Sequence, residues 1–128
     1  MGAGKGILLD TSVLIDILDK GSLLDLIEKE ELYISVISIY EYIRYKKNKE
    51  FFKKKLEESF IVLGLNNETL LESALIFEAL KRRGKPVSEN DIYIAATAIA
   101  HNLELWTRDT DYEKIKMFFP KLELRLLE

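Results

Sequence analysis

The chain has 128 residues, a net charge of −3 and a hydrophobic fraction of 48%, which favours one folded domain over residues 1–128 and argues against a basic coat protein. It has no cysteine and a single histidine, His101, which excludes disulfides, thiolate sites and sites built on paired histidines. No apolar run approaches the roughly 18 residues that cross a bilayer and no signal-peptide pattern is present, so we expect a cytoplasmic protein with no membrane partner.

The first informative stretch is an apolar run that ends in a carboxylate. Gly6 to Leu9 is followed by Asp10 and then by the hydroxyls of Thr11 and Ser12. Helically spaced apolar residues come next, which predicts a buried strand leading into a helix. Asp10 either caps that helix or enters the crevice where ligands sit in an open α/β sheet.

Strands and helices alternate along the rest of the chain. We predict strands at residues 32–35, 60–63, 103–107 and 122–126, and helices at residues 23–30, 36–45, 68–83 and 88–100, with a short one after Thr110. The alternation predicts a three-layer α/β/α sandwich with a mostly parallel central sheet, in which the last strand lies at an edge.

Two of the predicted helices carry apolar patterns that bear on packing. The helix at residues 36–45 is apolar almost all round, and we expect part of it, around Ile37, Tyr40 and Ile43, to form the twofold interface of a homodimer. In the helix at residues 68–83, a period of 3.6 predicts a buried face, made of Leu71, Ala74, Leu75 and Leu80.

A basic stretch covers residues 44–55 and contains seven Lys or Arg residues and one Glu. Charge runs of this kind are usually solvated helical faces. The alternative is a surface that follows the phosphates of RNA, and its candidate residues are Arg44, Lys46, Lys47 and Lys49.

Acidic residues stand at most of the predicted strand ends. Asp10 follows the first strand, and Asp109 and Asp111 follow the fourth. Glu41 lies within an apolar helix, where an unpartnered carboxylate is unfavourable, and Asp91 begins another helix. Each has a plain structural explanation: Asp91 completes the pattern of a capping box with Ser88, for example. Together, at one edge of a parallel sheet, they predict a cluster.

Convergence of these acids has a chemical consequence. Two carboxylates about 4 Å apart repel by on the order of 4 kcal/mol at an effective dielectric of 20. The cluster therefore needs protons or a hard cation, and ligands that are all oxygen favour Mg²⁺ or Mn²⁺. Such sites assist displacement at phosphorus.

The motifs together resemble the PIN domain, and most closely its VapC-type toxin ribonucleases. The resemblance rests on residues 8–12, on Glu41, on residues 91–96 and on residues 107–112. It implies an α/β/α fold, a homodimer, one or two Mg²⁺ or Mn²⁺ ions, endoribonuclease activity and an antitoxin that inserts a segment into the active site.

The same resemblance assigns roles to individual residues. It places Asp10, Glu41, Asp91 and Asp109 at the catalytic and metal-binding positions, with Asp111 as a further ligand candidate. Thr11 or Ser12, and Thr107, match hydroxyls that orient the acids. The alternatives are a non-catalytic RNA-binding PIN scaffold and a receiver-like Mg²⁺ domain; the second lacks an aspartate after the third strand, where Gly64 to Asn67 stand.

Overall fold

The centre of the molecule is strand β1, Ile7–Leu9, in a five-stranded parallel sheet. The computed structural model describes residues 6–21 and 31–128, so the helix predicted at residues 23–30 lies outside the described residues. The other strands are β2 (Leu32–Ser35), β3 (Ile61–Leu63), β4 (Glu104–Thr107) and β5 (Glu123–Leu126). Their order is β3-β2-β1-β4-β5 and every neighbouring pair is parallel. The predicted parallel sheet with the last strand at an edge is therefore confirmed.

Helices cover both faces of this sheet. They are α1 (Thr11–Lys20), α2 (Val36–Ile43), α3 (Lys49–Ser59), α4 (Asn67–Arg82), α5 (Glu89–Ala100) and α6 (Tyr112–Phe118). Successive side chains of β1 point to opposite faces: Ile7 and Leu9 join the core formed with α1, α2 and α3, and Leu8 joins the core formed with α4, α5 and α6. The α/β/α sandwich is thus confirmed.

The sheet order creates a crevice between β1 and β4. The chain passes from β1 to β2 and β3 on one side, then crosses to β4 on the other side of β1. Where strand order reverses in this way, the loops after the neighbouring strands separate and leave a site at their carboxyl ends. Leu9 pairs with Trp106, and the amide of Asp10 donates to the carbonyl of Trp106 at 3.0 Å. Asp10 and Thr107 consequently leave the sheet side by side.

The predicted buried face of α4 is wrong at three of its four positions. Leu80 is buried together with Ile76, but Leu71, Ala74 and Leu75 are exposed. The helix has apolar residues on two faces, so a 3.6-residue period fits either of them. The buried face, which packs mainly on α5, includes the small hydroxyl residues Thr69 and Ser73, whose polarity hid it in the sequence.

Helix α2 buries more of its apolar surface than the sequence suggested. Ile37 and Ile43 pack against the two cores, while Tyr40 remains 57% exposed. The helix ends at Ile43, so Tyr45 lies beyond it. Across residues 6–21 and 31–128, no helix is both long and apolar enough to pass through a membrane.

Candidate active site

Asp10 is buried at the carboxyl end of β1. It occupies the N-cap position of α1, yet its side chain makes no capping hydrogen bond. Its Oδ2 accepts from the hydroxyl of Thr107, which ends β4, and from Ser12 Oγ at 3.0 Å. Burial raises the pKa of Asp10, and these hydrogen bonds partly oppose the rise. The side chain is therefore held by neutral hydroxyls from the first turn of α1 and from the end of β4.

Glu41 projects from α2 and is half-buried between α1 and α5. Its Oε1 accepts from the Thr11 hydroxyl at 2.6 Å, and its Oε2 accepts from Asn90 Nδ2 at 3.0 Å. Thr11 Oγ1 also lies 2.9 Å from the buried Ser38 Oγ. Glu41 is thus fixed by two neutral donors on two different helices.

Three further acids come together at the same edge of the sheet. Carboxylate oxygens of Asp91, Asp109 and Asp111, one from each residue, lie within 4.8 Å of one another, and all three residues are half-buried. Asp91 comes from the first turn of α5, and the others follow β4. Asp109 Oδ1 accepts from the amide of Asp111, and the amide of Asp109 donates to Thr107 Oγ1, both at 2.9 Å. Asp10 and Glu41 are not members of this group of mutually close oxygens.

The electrostatics of Asp91 connect the group to Asp10. Burial and the negative charges of Asp10 and Asp109 together raise the pKa of Asp91 to about 6, although a hydrogen bond from Tyr112 acts in the opposite direction. Asp91 is also part of the cap of α5, because its amide donates to Ser88 Oγ at 3.2 Å. The Ser88 cap and the acidic cluster therefore coexist: the amide of Asp91 serves the cap, and its carboxylate interacts with the charges of Asp10 and Asp109.

Tyr112 lies beside the acids and is fully buried. Its hydroxyl donates to Asp91 Oδ1 at 3.1 Å. Burial holds its pKa well above the usual range, and the charges of Asp10, Asp91 and Asp109 act in the same direction. The phenol therefore stays protonated and remains a donor to the cluster.

Sequence reasoning gave no role to Tyr112 or Asn90. Tyr112 is the residue after Asp111, and its apolar ring is typical of the first core position of a helix. Asn90 precedes Asp91 in the first turn of α5, where a polar residue is unremarkable. Only the packing of α5 against α2 brings its amide to Glu41, so no local pattern could have revealed it.

The residues proposed for RNA contact lie outside the acidic cluster. Arg44 is the C-cap residue that follows α2. Lys46 and Lys47 are in the connection to α3, and Lys49 is the first residue of α3. Lys46 Nζ lies 4.6 Å from the centre of the Tyr42 ring and 3.8 Å from Asp19 Oδ2. Lys47 and Lys49 are exposed. The part of the basic stretch before α3 is thus a connection between helices, and its side chains do not form a single helical face.

The donor set of the cluster fits a hard divalent cation. Asp91, Asp109 and Asp111 offer carboxylate oxygens close enough to share one ion, and the buried Asp10 adds charge beside them. Oxygen donors of this kind suit Mg²⁺ and Mn²⁺ better than metals that prefer nitrogen or sulfur.

Comparison with known proteins gives consistent matches over nearly the whole chain. The PIN domain family model matches residues 7–117. The chain is 36% identical over 122 residues to Ribonuclease VapC1 of Methanocaldococcus jannaschii, covering 91% of this chain and 85% of that protein.

Solved structures extend the likeness to the fold. The DNA-bound VapBC structure from Salmonella typhimurium has a TM-score of 0.76 at 22% identity, covering 95% of this chain and 98% of that one. A toxin–antitoxin complex from Klebsiella pneumoniae has a TM-score of 0.66 at 25% identity, covering 91% and 95%.

The two roles of Asp91, as a capping residue and as a member of the acidic cluster, predict different effects of the substitution Asp91→Asn on stability. Because folding raises the pKa of this carboxyl from 3.8 to about 6, the metal-free protein loses stability as the pH rises through that interval. Asparagine keeps the capping amide and removes the charge. In chelator at pH 7.5 we expect the variant to be as stable as the unmodified protein or more stable, by on the order of 1 kcal/mol. The difference should vanish below pH 4.

Urea denaturation at the two pH values measures this effect, and Ser88→Ala is the control. Loss of the Ser88 cap should cost about 1 kcal/mol at both pH values. If Asp91→Asn lowers the stability at both pH values as Ser88→Ala does, the Asp91 carboxylate contributes to the cap and is not destabilised by the other acids.

Proposed function

Because the chain belongs to the PIN domain family, we propose that it is a metal-dependent endoribonuclease that hydrolyses phosphodiester bonds in RNA. The observation that carries the proposal is the group of Asp91, Asp109 and Asp111 beside the buried Asp10, at the carboxyl edge of β1 and β4. The 36% identity of the chain to Ribonuclease VapC1 supports RNA as the substrate. A non-catalytic RNA-binding scaffold would have no need for several acids held so close together.

Asp10, Asp91 and Asp109 would hold Mg²⁺ or Mn²⁺, with Asp111 as an additional ligand. When bound, such an ion lowers the pKa of water and offsets the negative charge that develops on the attacked phosphate. Thr107 and Ser12 keep the carboxylate of Asp10 in place, and Tyr112 does the same for Asp91. These donors carry no charge, so they orient the acids without reducing their attraction for a cation.

Glu41 has one of two roles beside this centre: it takes part in binding a second ion, or it orients the attacking water. In the second role its carboxylate accepts a proton from the water as the water oxygen bonds to phosphorus. One P–O ester bond then breaks, and the leaving oxygen takes a proton from solvent. The hydrogen bonds from Thr11 and Asn90 restrict Glu41 to one orientation, as a general base requires.

We further propose that the protein is the toxin of a toxin–antitoxin pair in the cytoplasm. The fold likeness to the toxin–antitoxin complex from Klebsiella pneumoniae supports a cognate antitoxin as partner. A small open reading frame next to this gene, whose product copurifies with the chain and blocks RNA cleavage, would establish the pair.

The substitution Asp10→Asn tests the chemistry. It removes a charge at constant shape, so we expect cleavage of RNA in Mg²⁺ to fall by at least about 10²-fold while the fold is preserved. A chelator should abolish cleavage by the unmodified protein. Gel assays of a mixed RNA substrate and circular dichroism measure the two effects.

Asp19→Asn is the matched control, since Asp19 lies at the other end of α1, where it accepts from the Tyr42 hydroxyl at 2.7 Å. This variant should cleave normally. Activity that survives both the chelator and Asp10→Asn would contradict the metal-dependent mechanism and the role of Asp10.

The basic stretch is the proposed surface that follows the RNA backbone. Replacing Lys46, Lys47 and Lys49 together by Gln removes three positive charges without touching the acids. We expect weaker RNA binding and a salt dependence whose slope falls by roughly one unit for each phosphate that the variant no longer neutralises. Fluorescence anisotropy at several salt concentrations measures the slope.

Lys81, Lys85 and Lys121 provide a control triple of equal charge outside the stretch. Replacing them should leave the slope nearly unchanged. If the two triple variants have equal slopes, residues 44–55 are an ordinary solvated surface.

We infer that the homodimer forms through α4, whereas the sequence favoured α2. Leu70, Leu71, Leu75 and Phe77 of α4 are exposed, Leu71 by 63%. Several large apolar side chains exposed on one helix mark a candidate interaction surface, and a twofold axis would bury them against the same residues of a second copy. On α2, only Tyr40 among the three predicted interface residues stays exposed.

The mass measured by light scattering at micromolar concentration shows whether the dimer interface lies on α4 or on α2. Leu71→Glu should convert a dimer into a monomer, because it places a charge in the apolar interface. Met117→Glu, at a position on α6 that is 62% exposed, should leave the dimer intact. If Tyr40→Glu is a monomer and Leu71→Glu is still a dimer, the interface lies on α2 and not on α4.

A further inference from the structure

We propose that Tyr40, Arg44 and Tyr45 form a stacking subsite for an unpaired nucleobase of the RNA substrate, beside Glu41. The inference rests on the proposed ribonuclease function and goes beyond it. It restricts the substrate to RNA in which a nucleotide close to the cleaved phosphate is unpaired. We call these three residues the stacking cluster.

The cluster consists of one guanidinium in contact with two aromatic rings. Arg44 Cζ lies 5.3 Å from the centre of the Tyr40 ring and 5.1 Å from the centre of the Tyr45 ring. Tyr40 is 57% exposed and Tyr45 is 84% exposed. Cation–π contact holds the guanidinium near both rings, and more than half of each tyrosine remains accessible to a ligand.

Folding does not account for these two tyrosines. Tyr42, in the same helix, is buried, and its hydroxyl donates to Asp19 at 2.7 Å. Ile39 and Ile43 also pack against the core on this side of the sheet. Tyr40 and Tyr45 bury little of their rings by comparison, so their large apolar faces contribute little to stability.

Charge around the cluster selects nucleic acid as the occupant. Among residues 6–21 and 31–128, no ion pair involves Arg44 or Lys47. Seven cationic residues lie within positions 44–55 of a chain whose net charge is −3. Aromatic rings that alternate with such cations are the surface on which proteins stack single-stranded bases and contact their phosphates. An apolar peptide segment would leave these cations buried and unpaired.

Position along α2 places the cluster next to Glu41. Tyr40 precedes Glu41, Arg44 follows it by three residues, and the charge of Glu41 acts on the Arg44 guanidinium. Glu41 in turn contacts Thr11 at the start of α1 and Asn90 on α5. A base stacked on Tyr45 would therefore bring its own or the next phosphate toward the acidic edge. A paired base cannot reach the rings, since its faces are covered by the neighbouring pairs.

The test uses a short RNA with 2-aminopurine at one position, because the fluorescence of this base is quenched when it stacks. Binding is measured with the full chain in chelator, which prevents cleavage, on a single-stranded probe and on the same sequence within a duplex. We expect quenching only with the single strand. Tyr45→Leu should remove most of the quenching and weaken binding by roughly tenfold, the usual effect of losing one stacking ring. Tyr45→Phe, which keeps the ring, should retain both.

A charge-matched pair separates stacking from simple attraction. Arg44→Gln and Arg83→Gln each remove one cation, and the Arg83 guanidinium lies 4.9 Å from the centre of the Phe118 ring in the opposite helical layer. Only Arg44→Gln should reduce quenching. Two outcomes would overturn the subsite: equal quenching by the unmodified protein and Tyr45→Leu, or equal binding of paired and unpaired probes. In either case the exposed rings would be assigned to contact with a protein partner.

The outcome is independent of whether the enzyme cleaves RNA. Failure of cleavage in Mg²⁺ by the unmodified protein would remove the proposed function, whereas quenching is measured without cleavage and is unaffected by that result. Absence of quenching together with normal cleavage would remove only the stacking cluster.

Discussion

The repulsion among carboxylates at one edge of the sheet is the constraint on which the site depends. Sheet order places Asp10 beside Thr107, and the packing of α5 brings Asp91 next to Asp109 and Asp111. The energetic cost of bringing these charges together is visible in Asp91, whose pKa is raised to about 6 by burial and by the charges of Asp10 and Asp109. The rest of the fold has to hold these groups in place against their mutual repulsion.

The partners that hold them are mostly neutral. Hydroxyls of Thr107, Ser12 and Tyr112 and the amide of Asn90 donate to the acids. The nearest arginine in the sequence, Arg108, pairs with Asp16 of α1, and Lys114 pairs with Asp111 at 3.2 Å. Neutral donors satisfy the lone pairs of a carboxylate without cancelling its charge. The negative potential of the site is therefore preserved, and the cation proposed for it would stabilise the folded state when it binds.

Sequence alone predicted the features that depend on strand ends. The strands are short, and parallel pairing follows from the alternation of strands and helices, so Asp10, Asp91 and Asp109 could be assigned to one edge. The sequence could not tell which face of α4 is buried, because Leu71 and Ile76 lie on different apolar faces of one helix. Contacts between distant elements, such as Asn90 with Glu41, depend on how α2 and α5 pack, and no local pattern encodes them.

Helix packing also decides how the proposed surfaces relate to one another. The stacking cluster and the basic stretch lie on α2, α3 and their connection, whose apolar residues join the core of Ile7 and Leu9. The exposed apolar face of α4 belongs to the opposite layer, whose core contains Leu8. A twofold axis at α4 would therefore leave both RNA surfaces of the dimer free, whereas an axis at Tyr40 would cover the rings proposed for base stacking. The two proposals are consistent because the sheet separates them, and placing the dimer on α2 would exclude the stacking subsite.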